Sequence, residues 1–85
     1  MENKKLTELV ETLNKYLSEN GLEGNIIVDK LISDKDLLDR VTETVIALIC
    51  KIGVDENLAP NIHGIILDGC LEALNEIREE YFKNE

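Results

Sequence analysis

Acidic side chains form the clearest chemical pattern in this sequence. The stretch DGCLEALNEIREE, wound into a helix, places five carboxylates within an arc of roughly 120°: Asp68, Glu72, Glu76, Glu79 and Glu80. Two more acids, Asp55 and Glu56, lie in the turn before this helix. Carboxylates gathered on an exposed face attract lysine and arginine side chains. We therefore predict a surface that docks on a basic partner protein, with a merely solubilising face as the alternative.

The acidic excess is uneven along the chain. Residues 54–85 contain eight acids against Arg78 and Lys83, whereas residues 1–53 contain ten acids against seven bases. Like charges four residues apart cost roughly 0.2 to 0.5 kcal/mol per pair. Burying one large aliphatic side chain contributes roughly 1.5 to 3 kcal/mol. The fold can carry this repulsion easily, so the row of acids does not by itself prove a function.

Residue types for catalysis or metal binding are sparse. The single histidine, His63, has no second nitrogen or thiolate at ligand spacing, and no Ser-His-Asp or Cys-His set can be assembled. If helices 3 and 4 pair antiparallel, Cys50 and Cys70 are offset by roughly 13 Å, too far for a disulfide. Paired carboxylates for acid/base work would need one buried member, and these acids face outward. We expect no enzymatic activity, no metal and no cofactor.

Composition indicates one small globular domain over residues 1–85. The net charge of -9, from 18 acids and 9 bases, disfavours direct binding to nucleic acid and to anionic membranes. The longest apolar run, Val45 to Cys50, is far shorter than the roughly 20 residues that cross a bilayer. No secretory signal pattern opens the chain. We expect a cytoplasmic protein.

Hydrophobic spacing predicts an all-α fold, a small antiparallel bundle of three long helices and one short helix. Helix 1 should end at Asn20-Gly21. Residues 25–32 are expected to form a short buried helix, with a continuous helix from residue 26 as the alternative. Ser33 and Asp36 resemble a capping box that starts helix 3, and Gly53 ends it.

The last helix is expected to run from about Leu58 or Pro60 to about Phe82. Its first two turns are expected to be bent or separate, because His63-Gly64 and Gly69 weaken a helix.

Broad apolar surfaces on the last two helices suggest a second contact. The segment VIALICKI contains one charge, Lys51, and a helix that is apolar around most of its circumference must be covered on more than one side. The last helix carries two neighbouring apolar strips on the side opposite its acids: Ile62, Ile66, Cys70, Ala73, Ile77 and Tyr81 form one, and Leu67, Leu71, Leu74 and Phe82 form the other. We therefore consider a homodimer contact, for which the candidate residues are Val45, Ile46, Ile49, Leu67, Leu71 and Leu74.

Size, acidity and helical content also invite comparison with acyl carrier proteins. Asp36-Leu37-Leu38-Asp39 is similar in shape to the Asp-Ser-Leu motif of that family. Leucine stands where the serine that carries phosphopantetheine would be, so a carrier-like bundle is only a remote alternative.

The leading hypothesis is a non-catalytic binding protein of the regulator, immunity, antitoxin or anti-defence type. The alternative is a structural subunit that self-associates.

Overall fold

Four helices make up the protein, whose computed structural model describes residues 2–83. They are α1 (Asn3–Glu19), α2 (Val28–Leu31), α3 (Lys35–Ile52) and α4 (Ile62–Tyr81). Within the described residues no β-strand forms, and a single antiparallel bridge pairs Val54 with Pro60. The predicted all-α fold with three long helices and one short helix is confirmed.

Helix α4 packs between α1 and α3 and is antiparallel to both. Along α1, Lys5 pairs with Glu76 near the end of α4, whereas Tyr16 meets His63 near its start. The backbones of α1 and α3 do not contact each other directly, and α2 contacts both of them. The bundle is therefore organised around its last helix.

The junction between α3 and α4 brings two backbones into direct contact. A Cβ atom added to Gly53 would lie 2.9 Å from the Cα of Gly64, and one added to Gly64 would meet the Gly53 carbonyl. Asn61 fastens the junction: its Nδ2 donates to Ile52 O at 2.8 Å, its Oδ1 accepts from Gly64 N at 3.0 Å, and its own N–H donates to Gly53 O at 3.0 Å. Gly53 ends α3 as predicted, and its lack of a side chain allows this approach.

The end of α1 follows the prediction for Asn20-Gly21. Gly21 has φ of 76°, the left-handed conformation that glycine adopts without steric cost. The N–H of Leu22 then donates to Leu17 O at 2.8 Å and that of Gly21 to Ser18 O at 3.3 Å. These two bonds form the Schellman arrangement that satisfies carbonyls at a helix end.

The second helix is shorter than expected. The expected short, separate helix is present, but only Val28–Leu31 of residues 25–32 is helical, and the alternative of a continuous helix from residue 26 is wrong. The reason is Asn14, whose side chain accepts from Ile26 N at 2.8 Å and donates to Ile26 O at 3.0 Å. These bonds hold the Ile26 backbone beside α1, and the exposed Ile27 remains extended as the N-terminal cap of α2.

The predicted start of α3 is one residue early. Asp34 caps the helix by accepting from Leu37 N at 3.2 Å, and its backbone is extended as a capping residue requires. The Ser33 hydroxyl instead donates to Asp29 O at 2.6 Å at the end of α2. The proposed capping box of Ser33 and Asp36 does not form, because the aspartate next to Ser33 supplies the cap.

The start of α4 also differs from the prediction. The helix begins at Ile62 rather than at Leu58 or Pro60, because Pro60 pairs with Val54 and Asn61 is the capping residue. The glycines do not break it, since α4 is one continuous helix of 20 residues.

The hydrophobic core combines residues from all four helices. Leu67, Leu74 and Ile77 of α4 are completely buried, which fixes the rotation of this helix in the bundle. The largest fully buried side chains are Leu6, Leu13, Leu31, Leu38, Leu67, Leu74, Ile77 and Val45.

Candidate interaction surface

The acidic row, defined as Asp68, Glu72, Glu76, Glu79 and Glu80, lies on the solvent side of α4. All five residues are exposed. They project outward because the opposite side of the helix is held in the core by its leucines and Ile77. Helical spacing alone was sufficient to predict this placement.

Ion pairs engage only part of the acidic row. Lys5 Nζ lies 3.2 Å from Glu76 Oε2, with both side chains about half exposed, and such surface pairs contribute roughly 0 to 1 kcal/mol. Glu80 is not free either. Glu72 and Glu79 form no ion pair with any residue from 2 to 83.

Basic side chains flank the C-terminal end of the row. Lys83 lines one shallow depression with Glu76, Glu79 and Glu80. Arg78 points away toward α3, where its Nη2 lies 2.6 Å from Asp39 Oδ1. The middle of the row, around Glu72, is therefore its least compensated part.

The structure does not bring Asp55 and Glu56 together with the C-terminal end of the acidic row. They lie in the loop before α4, and Ile62 is separated from Glu79 by roughly 25 Å of helix. Asp55 shapes this loop, because its Oδ1 accepts from Asn57 N at 2.8 Å and from Ala59 N at 3.0 Å. Glu56 is exposed.

An exposed apolar patch on the same helix was not predicted from the sequence. We define the apolar patch as Ile62, Ile65, Ile66 and Gly69. The isoleucines are 62%, 60% and 39% exposed, and Gly69 is also exposed. Ile62 and Ile66 were expected to face inward. Ile62 lies in the first turn of α4, level with the last turn of α1, where Tyr16 meets His63. Ile66 borders an open surface depression with Leu9 and Thr12 of α1. The sequence feature that could have indicated this patch is the presence of three isoleucines within five residues.

The six residues considered for a homodimer contact separate into two groups. Val45, Leu67 and Leu74 are buried inside the bundle and have no surface to offer a second copy. Ile49 and Leu71 are half-buried, and Ile46 is 47% exposed. The segment VIALICKI is thus covered on one side, because the outer side of α3, including Cys50, faces solvent.

A groove lies on the surface of the junction between the end of α3 and the start of α4. It has a volume of about 340 Å³ and is lined by Ile49, Gly53, Val54, Pro60, Gly64, Ile65 and Asp68. The groove has one acidic residue, Asp68, in an otherwise mostly apolar lining, and it lies between the exposed side of α3 and the apolar patch.

The groups that attract chemical attention have structural partners. The Tyr16 hydroxyl lies 2.9 Å from His63 Nδ1, and the two rings meet edge to face with centroids 5.7 Å apart. Burial raises the pKa of Tyr16, as do the charges of Glu19 and Cys70. Burial also raises the pKa of the Cys70 thiol. Both cysteines are free; Cys50 is exposed and Cys70 is buried.

Between residues 2 and 83, no three His, Cys, Asp or Glu side chains are grouped to hold a metal ion. Over the same range, no helix combines the length and the hydropathy needed to cross a bilayer. Comparison with protein-family models, with curated proteins and with solved structures found no match.

Proposed function

We propose that this chain is a non-catalytic cytosolic binding protein whose acidic row docks on a basic surface of a partner protein. The supporting observation is the row itself: exposed carboxylates follow one face of α4, and Glu72 and Glu79 have no cationic partner in the described chain. Regulators and inhibitors of basic proteins are the class that this surface fits. An exposed free thiol, Cys50, agrees with a reducing compartment.

Electrostatics gives the row two roles in binding. A net charge of -9 steers a basic partner toward the protein at a rate that falls with added salt. Contact then requires the partner's lysines or arginines to replace water and the weak pair with Lys5. Because that pair contributes little, Glu76 remains available to a partner.

The experiment compares two variants of equal net charge. Glu72→Lys with Glu79→Lys reverses the row, whereas Glu11→Lys with Glu43→Lys reverses exposed acids on α1 and α3. Proteins captured from lysate at low and high salt are quantified by mass spectrometry. We expect captured proteins to be retained by the control variant and lost from the row variant. Equal capture by both variants would contradict the proposal.

Self-association is the second candidate function. It is favoured by the exposure of Ile46 on α3 and of Ile65, which lines the groove between α3 and α4. Light scattering on the purified protein tests it, with Ile46→Glu and Ile65→Glu as disrupting variants that leave the core intact. A monomer at high concentration removes this candidate.

A further inference from the structure

The outer face of α4 changes character halfway along the helix. Its first two turns present the apolar patch with Asp68 at its edge, and the following turns present Glu72, Glu76 and Glu79. Ile62, Ile65, Ile66 and Gly69 have the spacing i, i+3, i+4 and i+7, which outlines the hole that receives one side chain of a packed helix. All four are exposed, so this hole is empty within the described chain.

Gly69 forms the bottom corner of that hole and has no packing role of its own. A Cβ atom added there meets nothing within 4 Å. Glycine weakens a helix relative to alanine, and here no contact of the described chain compensates. A residue without a side chain lets a second backbone approach closely. The shape of this site therefore matches a helix that crosses α4 near Gly69.

Charge determines which helix fits. Glu72 and Glu76 lie one and two turns beyond the hole, on the same face. A second copy packed antiparallel on α4 would oppose these carboxylates to the isoleucines, and one packed parallel would oppose them to each other. Both arrangements remove carboxylates from water, and only Glu76 has a cation beside it, the weakly paired Lys5. A helix with one apolar half and one half rich in lysine or arginine is complementary to this face, because it can cover the apolar patch and pair with Glu72 and Glu76.

We propose that the partner contributes a basic amphipathic helix that lies along the outer face of α4. One of its apolar side chains enters the hole at Gly69, and its basic side chains pair with Glu72 and Glu76. This inference rests on the proposed function, since it specifies how a basic partner docks on the acidic row. It adds that the apolar patch contributes binding energy and fixes the position of the partner helix along α4. The acids alone would attract any cationic surface.

Synthetic helical peptides of about 20 residues, long enough to span α4, serve as probes. The parent peptide carries leucines on one face in one half and lysines on the same face in the other half. Both sequence orders are made. One control peptide replaces the leucines by serine, and another replaces the lysines by glutamate. We expect the parent to bind in one order, and each control to bind more weakly, by titration calorimetry at low and physiological salt.

Protein variants then locate the binding site. Ile65→Ser and Gly69→Ala should each weaken the parent peptide about tenfold, the scale of one lost aliphatic contact. The matched control is Ile27→Ser, because Ile27 is 59% exposed, against 60% for Ile65, and lies far along the chain beside α2. It should leave binding unchanged. Gly69→Ala cannot act by unfolding the protein, since its methyl group meets open space.

Three results would overturn this inference. The first is the absence of binding by the parent peptide in both orders. The second is a set of three observations: the serine control peptide binds as tightly as the parent peptide, Ile65→Ser has no effect on binding, and the Glu72 and Glu79 reversals abolish it. The acidic row would then act alone, and the proposed function would survive. The third is a dimer in sedimentation velocity that Ile65→Ser dissociates, which would place a second copy on this face.

Discussion

Substituting Gly64 by alanine tests the junction between α3 and α4, where backbone meets backbone. The added Cβ would lie 3.0 Å from the carbonyl carbon of Gly53 and closer still to its oxygen. That oxygen accepts the N–H of Asn61, the residue that caps α4. Since no side-chain rotation can relieve a contact with backbone, the two helices must separate or the cap must break.

The magnitude follows from comparison with Gly69 in the same helix. Alanine improves helix propensity by about 1 kcal/mol at either position, so this term largely cancels. At Gly69 the methyl group meets nothing, and Gly69→Ala should stabilise the protein by roughly 0.4 to 1 kcal/mol. At Gly64 overpacking costs about 1 to 3 kcal/mol, and the backbone contact places it near the upper end.

The assay is thermal unfolding followed by circular dichroism at one protein concentration. A free-energy difference of about 3 kcal/mol corresponds to a gap of roughly 12 to 24 °C between the two variants in a domain of this size. Urea unfolding with unchanged m-values would show that the folded states are equally compact. Equal melting temperatures for Gly64→Ala and Gly69→Ala would refute the tight junction.

Three further predictions concern other parts of the bundle. Asn14→Ala removes both hydrogen bonds to the Ile26 backbone and should lower the free energy of unfolding by about 2 kcal/mol; a loss within error in urea titration would contradict this tether. Native protein should react with a thiol reagent rapidly at Cys50 and slowly at Cys70, because burial shields Cys70 and raises its pKa; equal rates by mass spectrometry would disagree. Burial raises the pKa of Tyr16 above its ordinary 10.0, so ionisation costs more in the folded state and stability falls as the pH rises past about 10. Alkaline unfolding curves should show a smaller loss for the Tyr16→Phe variant, and parallel curves would argue against it.

Much of the fold could be predicted from the sequence, because long amphipathic helices repeat the same signal many times. The hydrophobic periodicity of α1 and the Asn20-Gly21 pair both place the end of this helix near residue 20, and the structure confirms it. The failures occur where one distant contact outweighs local preference. Nothing near Ile26 in sequence indicates that Asn14 binds its backbone, and Ser33 next to Asp34 offers two equivalent caps for one helix.

The candidate surface was predicted only in part, for a physical reason. Periodicity identifies which side of α4 faces the core but not how far its neighbours extend along it. The acids needed only the first kind of information. The exposure of Ile62, Ile65 and Ile66 depends on how much of the surface of α4 is covered by α1 and α3, which is a tertiary property.

The central place of α4 has a consequence for how the polypeptide acquires its shape. As synthesis proceeds from the amino terminus, the first two long helices emerge without the element that joins them. The apolar surfaces of α1 and α3 therefore stay uncovered until α4 is available to pack between them, and the domain is expected to assemble in one late step. A chain that lacks α4 would expose the apolar surfaces of α1 and α3 to chaperones and proteases.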